Sequence, residues 1–229
     1  GKREKAIKKI TALTLKENIK ELYHIIIEPD PDKIKVIPNY VLTDVFKPSD
    51  RTGKKYDLVF VGRGGKQKNL LNLLEALKIL KSRDKDISLL MVGGCCNEDQ
   101  IRDYVKSAGL EVSFKANVPN IELPDLLNQA IAFILPSLYE GHPKALLEAM
   151  SCGVACIGTN VPGISDQLVH LRTGYLCETG PESLAKAVEN VLLDKDLRNR
   201  LGSEARKHVV QNFDIERIRK LELDAIREV

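Results

Sequence analysis

A doubly wound α/β fold, meaning a parallel sheet covered by helices on both faces, is predicted by three observations. From residue 57 onward, short β-rich runs alternate with helical stretches. The runs are continuously apolar, as strands buried on both sides should be. Small or turn-forming residues follow nearly every run. At 229 residues, the chain is long enough to bury roughly 70% of its unfolded surface, as one large domain or as a domain plus part of another.

Taken in order, residues 1–45 hold a basic helical stretch, an apolar strand at 23–27, a Pro/Asp turn at 28–32 and a segment, 33–37, ending at Pro38-Asn39. They do not make a closed domain by themselves. Strands are then predicted at 57–61, 87–92, 112–114, 131–135 and 154–157. The helix over 69–80 places Leu70, Leu73, Leu74, Leu77 and Leu80 on one stripe, and Asn97 with Gln100 suits a capping pair for the next helix. Further helices start at Pro124, run over 143–151, and run over 181–194, where Leu184, Ala187, Val188, Val191 and Leu192 keep helical spacing. A last helix covers 213–229. Open sheets of this kind bind ligands at the carboxyl ends of their strands, so the loops after Val61, Val92, Phe114 and Leu135 should line one crevice.

Composition narrows the partners. A formal charge of +3 offers no concentrated basic face for nucleic acid. There is no apolar run long enough to cross a bilayer and no signal-peptide pattern at the start. Cys95, Cys96, Cys152, Cys156 and Cys177 fit neither a disulfide framework nor a paired zinc motif, and read as reduced, packed thiols in the cytoplasm. The cluster Lys2, Arg3, Lys5, Lys8 and Lys9 is a solvated helix end, with peripheral contact at the inner face of a membrane as the minor alternative.

Two stretches carry chemistry. The first, 140–148, reads Glu-Gly-His-Pro-Lys-Ala-Leu-Leu-Glu, with one carboxylate before a helix start and one within the helix. Pro143 suits a first turn, Gly141 permits a sharp turn upstream, and Glu148, among apolar neighbours, needs a hydrogen-bonding partner that a polyhydroxyl ligand could supply. The competing readings are a helix cap for Glu140 and a solvated position for Glu148. The second stretch, 62–69, opens the leucine-rich helix with Gly62, Arg63, Gly64, Gly65 and Lys68. Gln67 occupies the place of the last glycine of a dinucleotide fingerprint, and no Walker spacing is present. Exposed backbone N–H groups and two cations near a helix N-terminus suit a diphosphate; a tight turn with solvated cations is the alternative. Gly93-Gly94, Asn117-Val118-Pro119 and 136–141 supply the other crevice loops. Tyr139 and Met150 read as packing residues, and Lys144 as a phosphate contact or an exposed cation.

Several motifs stand in a family's order. Val36-Ile37-Pro38-Asn39 with Val45-Phe46-Lys47-Pro48 is followed by Phe60-Val61-Gly62-Arg63 with Lys68, then by Leu135-Pro136-Ser137 running into 140–148 and Ala149-Met150-Ser151-Cys152-Gly153, and finally by Pro162-Gly163 and Thr173-Gly174-Tyr175-Leu176. Residues 46–229 therefore resemble the C-terminal donor-binding domain of a retaining glycosyltransferase of family 4, with the GT-B fold. The resemblance implies a Rossmann-like donor domain at 46–212, a remnant of the preceding domain and crossover at 1–45, and a crossover helix at 213–229. It implies that Arg63 and Lys68 grip the pyrophosphate of a UDP-, GDP- or ADP-linked sugar, with Glu140 beside the transferred sugar, these three being the catalytic set. Donor contacts would come from Gly62, Gly64, Gly65, Gly93, Val118, Gly141, His142, Lys144, Ala145 and Glu148, with Glu148 accepting from ribose hydroxyls and Val118 near the base. His142 departs from the aromatic or small residue often found there and reads as a helix-start residue rather than a base. No cofactor and no metal is implied. A glycan or lipid-linked acceptor would bind an N-terminal domain lying outside these residues, so that the chain is a truncated or naturally partial one, inactive in transfer by itself. The alternatives are a non-catalytic nucleotide-sugar-binding module working with a separate subunit, and a nucleotide-sugar epimerase.

Overall fold

The structure, a computed structural model, describes residues 35–49, 53–94 and 98–227. The elements expected before residue 35, the Asn97 cap and Cys95 and Cys96 lie outside these. Contacts divide the chain into one unit of Pro38–Arg227 and another of Gly1–Ile37 with Glu228–Val229. Every element described below belongs to the former.

That unit runs β1 (Tyr56–Val61), a 3₁₀ turn (Lys66–Lys68), α1 (Leu70–Lys81), β2 (Leu89–Val92), α2 (Glu98–Ser107), β3 (Val112–Lys115), a second 3₁₀ turn (Asn120–Glu122), α3 (Leu123–Asn128), β4 (Ala130–Leu135), α4 (Lys144–Ser151), β5 (Ala155–Thr159), β6 (Tyr175–Cys177), α5 (Pro181–Leu193), α6 (Lys195–Phe213) and α7 (Ile215–Arg227). The strands form one sheet in the order β3-β2-β1-β4-β5-β6, and every pairing is parallel. All residues of β2 and β5 are buried, the mark of a sheet covered on both faces. The expected stripe of α1 is buried in full and packs against α5, whose own stripe is buried at Leu184, Ala187, Val188 and Val191 as expected and half-buried at Leu192.

Two elements escaped the sequence reading. β6 is three residues long, pairs only with β5 and is buried only at Cys177, so no apolar run announces it. α6 buries Leu201, Gly202, Ala205 and Val209, a stripe with glycine and alanine at its centre and little hydrophobic contrast over nineteen residues. Asp194 starts it by accepting from Leu197 N at 2.8 Å, and extended Asp214 separates it from α7, so the last helix begins at Ile215 rather than at 213.

Small residues let α6 approach closely. A Cβ on Gly202 would stand 2.1 Å from Gly153 O. Alanine there gains about 1 kcal/mol of helix propensity. The clash forces α6 away from the residues leading into β5, so Gly202→Ala should still lose about 2 kcal/mol net in urea unfolding.

Candidate functional site

The sheet order reverses between β1 and β4, and the crevice expected at such a switch point lies beyond their carboxyl ends. Its floor is backbone. Gly62 N donates to Val92 O at 2.9 Å, Gly64 N to Gly94 O at 2.8 Å, Gly93 N to Lys115 O at 2.9 Å, and Gly94 N to Asn117 Oδ1 at 3.3 Å. Gly93 has φ +116°, and a Cβ there would come within 2.4 Å of Gly62 O, so the position requires glycine. Gly62, Gly64 and Gly93 border an apolar recess formed by Phe60, Leu70, Met91 and Phe114.

The loops after β1 and β4 meet through side chains. Lys68 Nζ donates to Glu140 Oε1 at 2.5 Å, and Ser137 Oγ donates to the same oxygen at 2.6 Å. Gln67 grips the same loop: its carbonyl accepts from Leu138 N at 2.8 Å, and its Nε2 donates to Tyr139 O at 2.8 Å and to Glu140 Oε2 at 3.4 Å. The Glu140 side chain is 8% exposed and that of Lys68 20%, so this ion pair is largely shielded from water. Asn69, in the left-handed conformation at φ 54°, starts α1 and ties it to Pro136 O at 3.0 Å and Thr179 O at 2.9 Å. From below, Glu140 N donates to Pro162 O at 3.2 Å, while Gly163, at φ +83°, passes so close that a Cβ would stand 2.3 Å from Glu140 O.

Glu148 is the fifth residue of α4 and 4% exposed, which removes the solvated alternative. Asn120 Nδ2 donates to its Oε1 at 3.2 Å. Burial pushes its pKa above the ordinary carboxylate value, against the pull of the Asn120 hydrogen bond and the Lys144 charge. α4 begins at Lys144, one residue later than expected, because Pro143 takes the extended cap conformation (φ −72°, ψ 102°). The Lys144 and Ala145 N–H groups therefore stand at the helix start, without intrahelical acceptors. Lys144 itself is exposed, its ammonium 4.9 Å from the centroid of the Tyr40 ring.

His142 is turned to other partners. Its Nδ1 accepts from Asn39 N at 3.3 Å, its carbonyl accepts from Asn39 Nδ2 at 2.7 Å, and its ring meets Phe213 edge-on at 5.4 Å. Arg63 is exposed and makes no ion pair among the described residues; Gly65 and Val118 are half-buried and Gly141 exposed. Met150 is fully buried, but Tyr139, expected to pack, is 60% exposed, because the loop is held by its backbone and leaves the ring outside. Sequence reasoning missed Gln67, Ser137 and Asn120. Gln67 was legible only as the residue beside Lys68 that spoils a glycine fingerprint, Ser137 only as a member of the Leu135-Pro136-Ser137 motif with no role of its own, and nothing local marks Asn120. Among the described residues no group of three or more His, Cys, Asp or Glu could hold a metal ion, and no helix is long and apolar enough to cross a membrane.

Residues 43–208 match the family described as glycosyl transferases group 1. The chain belongs to that family. It is 33% identical over 227 residues to the UDP-Gal:alpha-D-GlcNAc-diphosphoundecaprenol alpha-1,3-galactosyltransferase of Escherichia coli, a likeness covering 91% of this chain and 57% of that protein. The chain spans about half the length of the curated relatives it matches. Among solved structures, the C-terminal domain of the group 1 glycosyl transferase LpcC from Francisella tularensis superposes with a TM-score of 0.68 at 23% identity, covering 76% of this chain and 99% of that one. Anabaena HepE in complex with UDP-glucose gives 0.75 at 19% identity, covering 85% and 57%. These two likenesses bear on the fold, which is that of GT-B glycosyltransferases.

In this group 1 chain, burial lowers the pKa of both His142 and His208 below the ordinary 6.5; Asp166 opposes the shift at His142, and Arg172 adds to it at His208. The unfolded chain then binds more protons than the folded one between the lowered values and 6.5, so stability rises with pH across that window. This contribution is complete above 6.5 and is lost as pH falls through the folded-state values. Melting temperatures measured from about pH 7 to about pH 5.5 should fall, and His208→Gln should flatten the decline.

Proposed function

We propose that the chain is the donor-binding part of a retaining, family 4 glycosyltransferase, which takes a sugar from a nucleoside diphosphate and passes it to an acceptor held by a further domain. The observation that carries this reading is the Lys68–Glu140 pair, which joins the basic loop after β1 to the carboxylate before α4 at the switch point of the sheet. A diphosphate fits between such cations and the start of α4, whose Lys144 and Ala145 N–H groups face no acceptor of their own helix. Departure of the nucleoside diphosphate builds negative charge on its oxygens, and Arg63, Lys68 and the α4 N-terminus are fixed positive groups able to stabilise it. Glu140, held by three donors, stands beside the transferred sugar, and Glu148 accepts from ribose hydroxyls. The UDP-glucose bound by HepE and the UDP-galactose in the name of the Escherichia coli relative support a nucleotide-sugar donor, and that relative's diphosphoundecaprenol substrate supports a lipid-linked acceptor. Residues 1–45 are the tail of the acceptor domain and its crossover, 46–212 the donor domain, and 213–229 the helix returning toward the acceptor domain.

Lys68 is paired with Glu140, so a diphosphate competes with a carboxylate for its ammonium. Calorimetric titration with uridine, guanosine and adenosine diphosphates should identify the base. Arg63→Ala and Lys68→Ala should each weaken binding about tenfold or more, the loss expected for a charge-assisted hydrogen bond, and Glu148→Ala should weaken it similarly. Glu140→Gln, which frees Lys68, should tighten diphosphate binding about fivefold. Unchanged affinity across all four variants would remove the assignment.

A further inference from the structure

Glu148 is almost fully buried, yet among the described residues only one donor reaches it, Asn120 Nδ2 at 3.2 Å from Oε1. A carboxylate can accept about four hydrogen bonds, so with one neutral donor on Oε1 Glu148 keeps accepting capacity on Oε2. Asn120 is itself exposed and sits on the 3₁₀ turn Asn120–Glu122 that follows β3, a different strand from the one leading to α4. Its side chain accepts no cap bond and caps nothing in its own turn, where Pro119 occupies the cap position without a side-chain hydrogen bond. The Asn120 amide is therefore committed to Glu148 rather than to local structure.

We propose that Asn120 is a positioning residue for Glu148: its donation to Oε1 fixes the plane of the carboxylate and leaves Oε2 to accept from a vicinal diol, so that Asn120 sets the preference of the site for ribonucleotides over deoxyribonucleotides. The inference rests on the nucleoside-diphosphate reading of the site. The amide is the right group for this task. A neutral donor holds one oxygen in a fixed direction without neutralising the charge, whereas a lysine or arginine at the same place would satisfy the carboxylate and compete with the ligand. Without the amide, Glu148 keeps its burial and loses its orientation. The ligand hydroxyls must then order it as they bind, and affinity for the diol falls while affinity for the diphosphate does not.

The test uses the full 229-residue chain and three probes: the tightest-binding of uridine, guanosine and adenosine diphosphate, its 2′-deoxy counterpart, and inorganic pyrophosphate. Asn120→Ala should weaken the ribonucleotide about fivefold, the size of one ordinary hydrogen bond and less than a charge-assisted one, because Asn120 acts on the ligand only through Glu148. It should also shrink the ratio between ribo and deoxy forms and leave pyrophosphate unchanged. Asn120→Asp retains the shape and turn preference of asparagine but cannot donate, and places a like charge against Glu148, so it should be weaker still for the ribonucleotide at pH 8. A residue needed only for its turn would tolerate aspartate and, when truncated, would weaken all three probes alike; either pattern overturns the proposal. Combining Asn120→Ala with Glu148→Gln should add less than twofold to the single Glu148→Gln loss. If Glu148→Gln leaves the ribo-to-deoxy ratio unchanged, the ribose reading of Glu148 falls and this assignment with it. If Glu148→Gln changes that ratio and neither Asn120 variant does, the assignment of Asn120 alone falls.

Discussion

The shielded ion pair between Lys68 and Glu140 is the contact on which the arrangement of the crevice depends. It joins two loops that are 72 residues apart in sequence and adjacent only because β1 and β4 are neighbours in the sheet. A pair this removed from water holds only when its remaining hydrogen-bonding capacity is met, and removal of one partner leaves an uncompensated charge. Ser137 and Gln67 meet that requirement for Glu140. Ser137 is in turn fully buried, its carbonyl accepting from Thr159 Oγ1 at 2.5 Å, so the end of β5 also supports the carboxylate.

Around this pair the protein uses backbone for shape and side chains for charge. The glycines after β1 and β2 pack carbonyl against Cα, and Gly163 does the same beneath Glu140. Such contacts leave little room for rearrangement, so the polar groups that border the crevice are held in place by close backbone packing. α4 is anchored at both ends by segments outside the sheet. Near its start, Asn39 and Phe213 hold His142. Near its end, the Arg206 guanidinium donates to Ser151 O at 2.7 Å, to Ser151 Oγ, and to the carbonyls of Thr43 and Phe46. A cation at a helix C-terminus is favourable by itself, and here it also joins α6 to the residues that precede β1. Those residues and the α6–α7 junction are bound to each other in turn, with Val41 N donating to Phe213 O at 2.8 Å and Ile215 N to Val41 O at 3.1 Å. The helix that carries Glu148 is thus positioned by the two stretches of chain that flank the sheet.

Much of this was legible in the residues. Continuous apolar runs marked β1, β2, β4 and β5, because a strand buried on both faces has no polar side to interrupt it, whereas β3, at the sheet edge, alternates half-buried Val112 and Phe114 with exposed Ser113 and Lys115 and departs from that expectation. Leucine spacing marked α1, and the alternation of strand and helix marked the parallel sheet. α6 was silent because glycine and alanine stand at the centre of its buried stripe, where they contribute closeness rather than hydrophobic contrast, and β6 because three residues, two of them half-exposed, carry no periodicity. Tyr139 was misjudged for a related reason: the loop around it is secured by Gln67 through main-chain atoms, leaving the ring without a packing role.

The sequence by itself determined the fold class, the loops that meet at the crevice, and the residue types that suit a diphosphate and a polyhydroxyl ligand, because these follow from periodicity, turn chemistry and charge read locally. Only the tertiary structure decided that Lys68 is paired with Glu140, that Gln67 and Ser137 hold that carboxylate, that Asn120 reaches Glu148, and that His142 is engaged by Asn39 and Phe213. Each of these contacts spans loops on different strands or flanking segments, apart from Ser137 three residues before Glu140, and partner choice among polar side chains depends on strand order and burial, which no local pattern encodes.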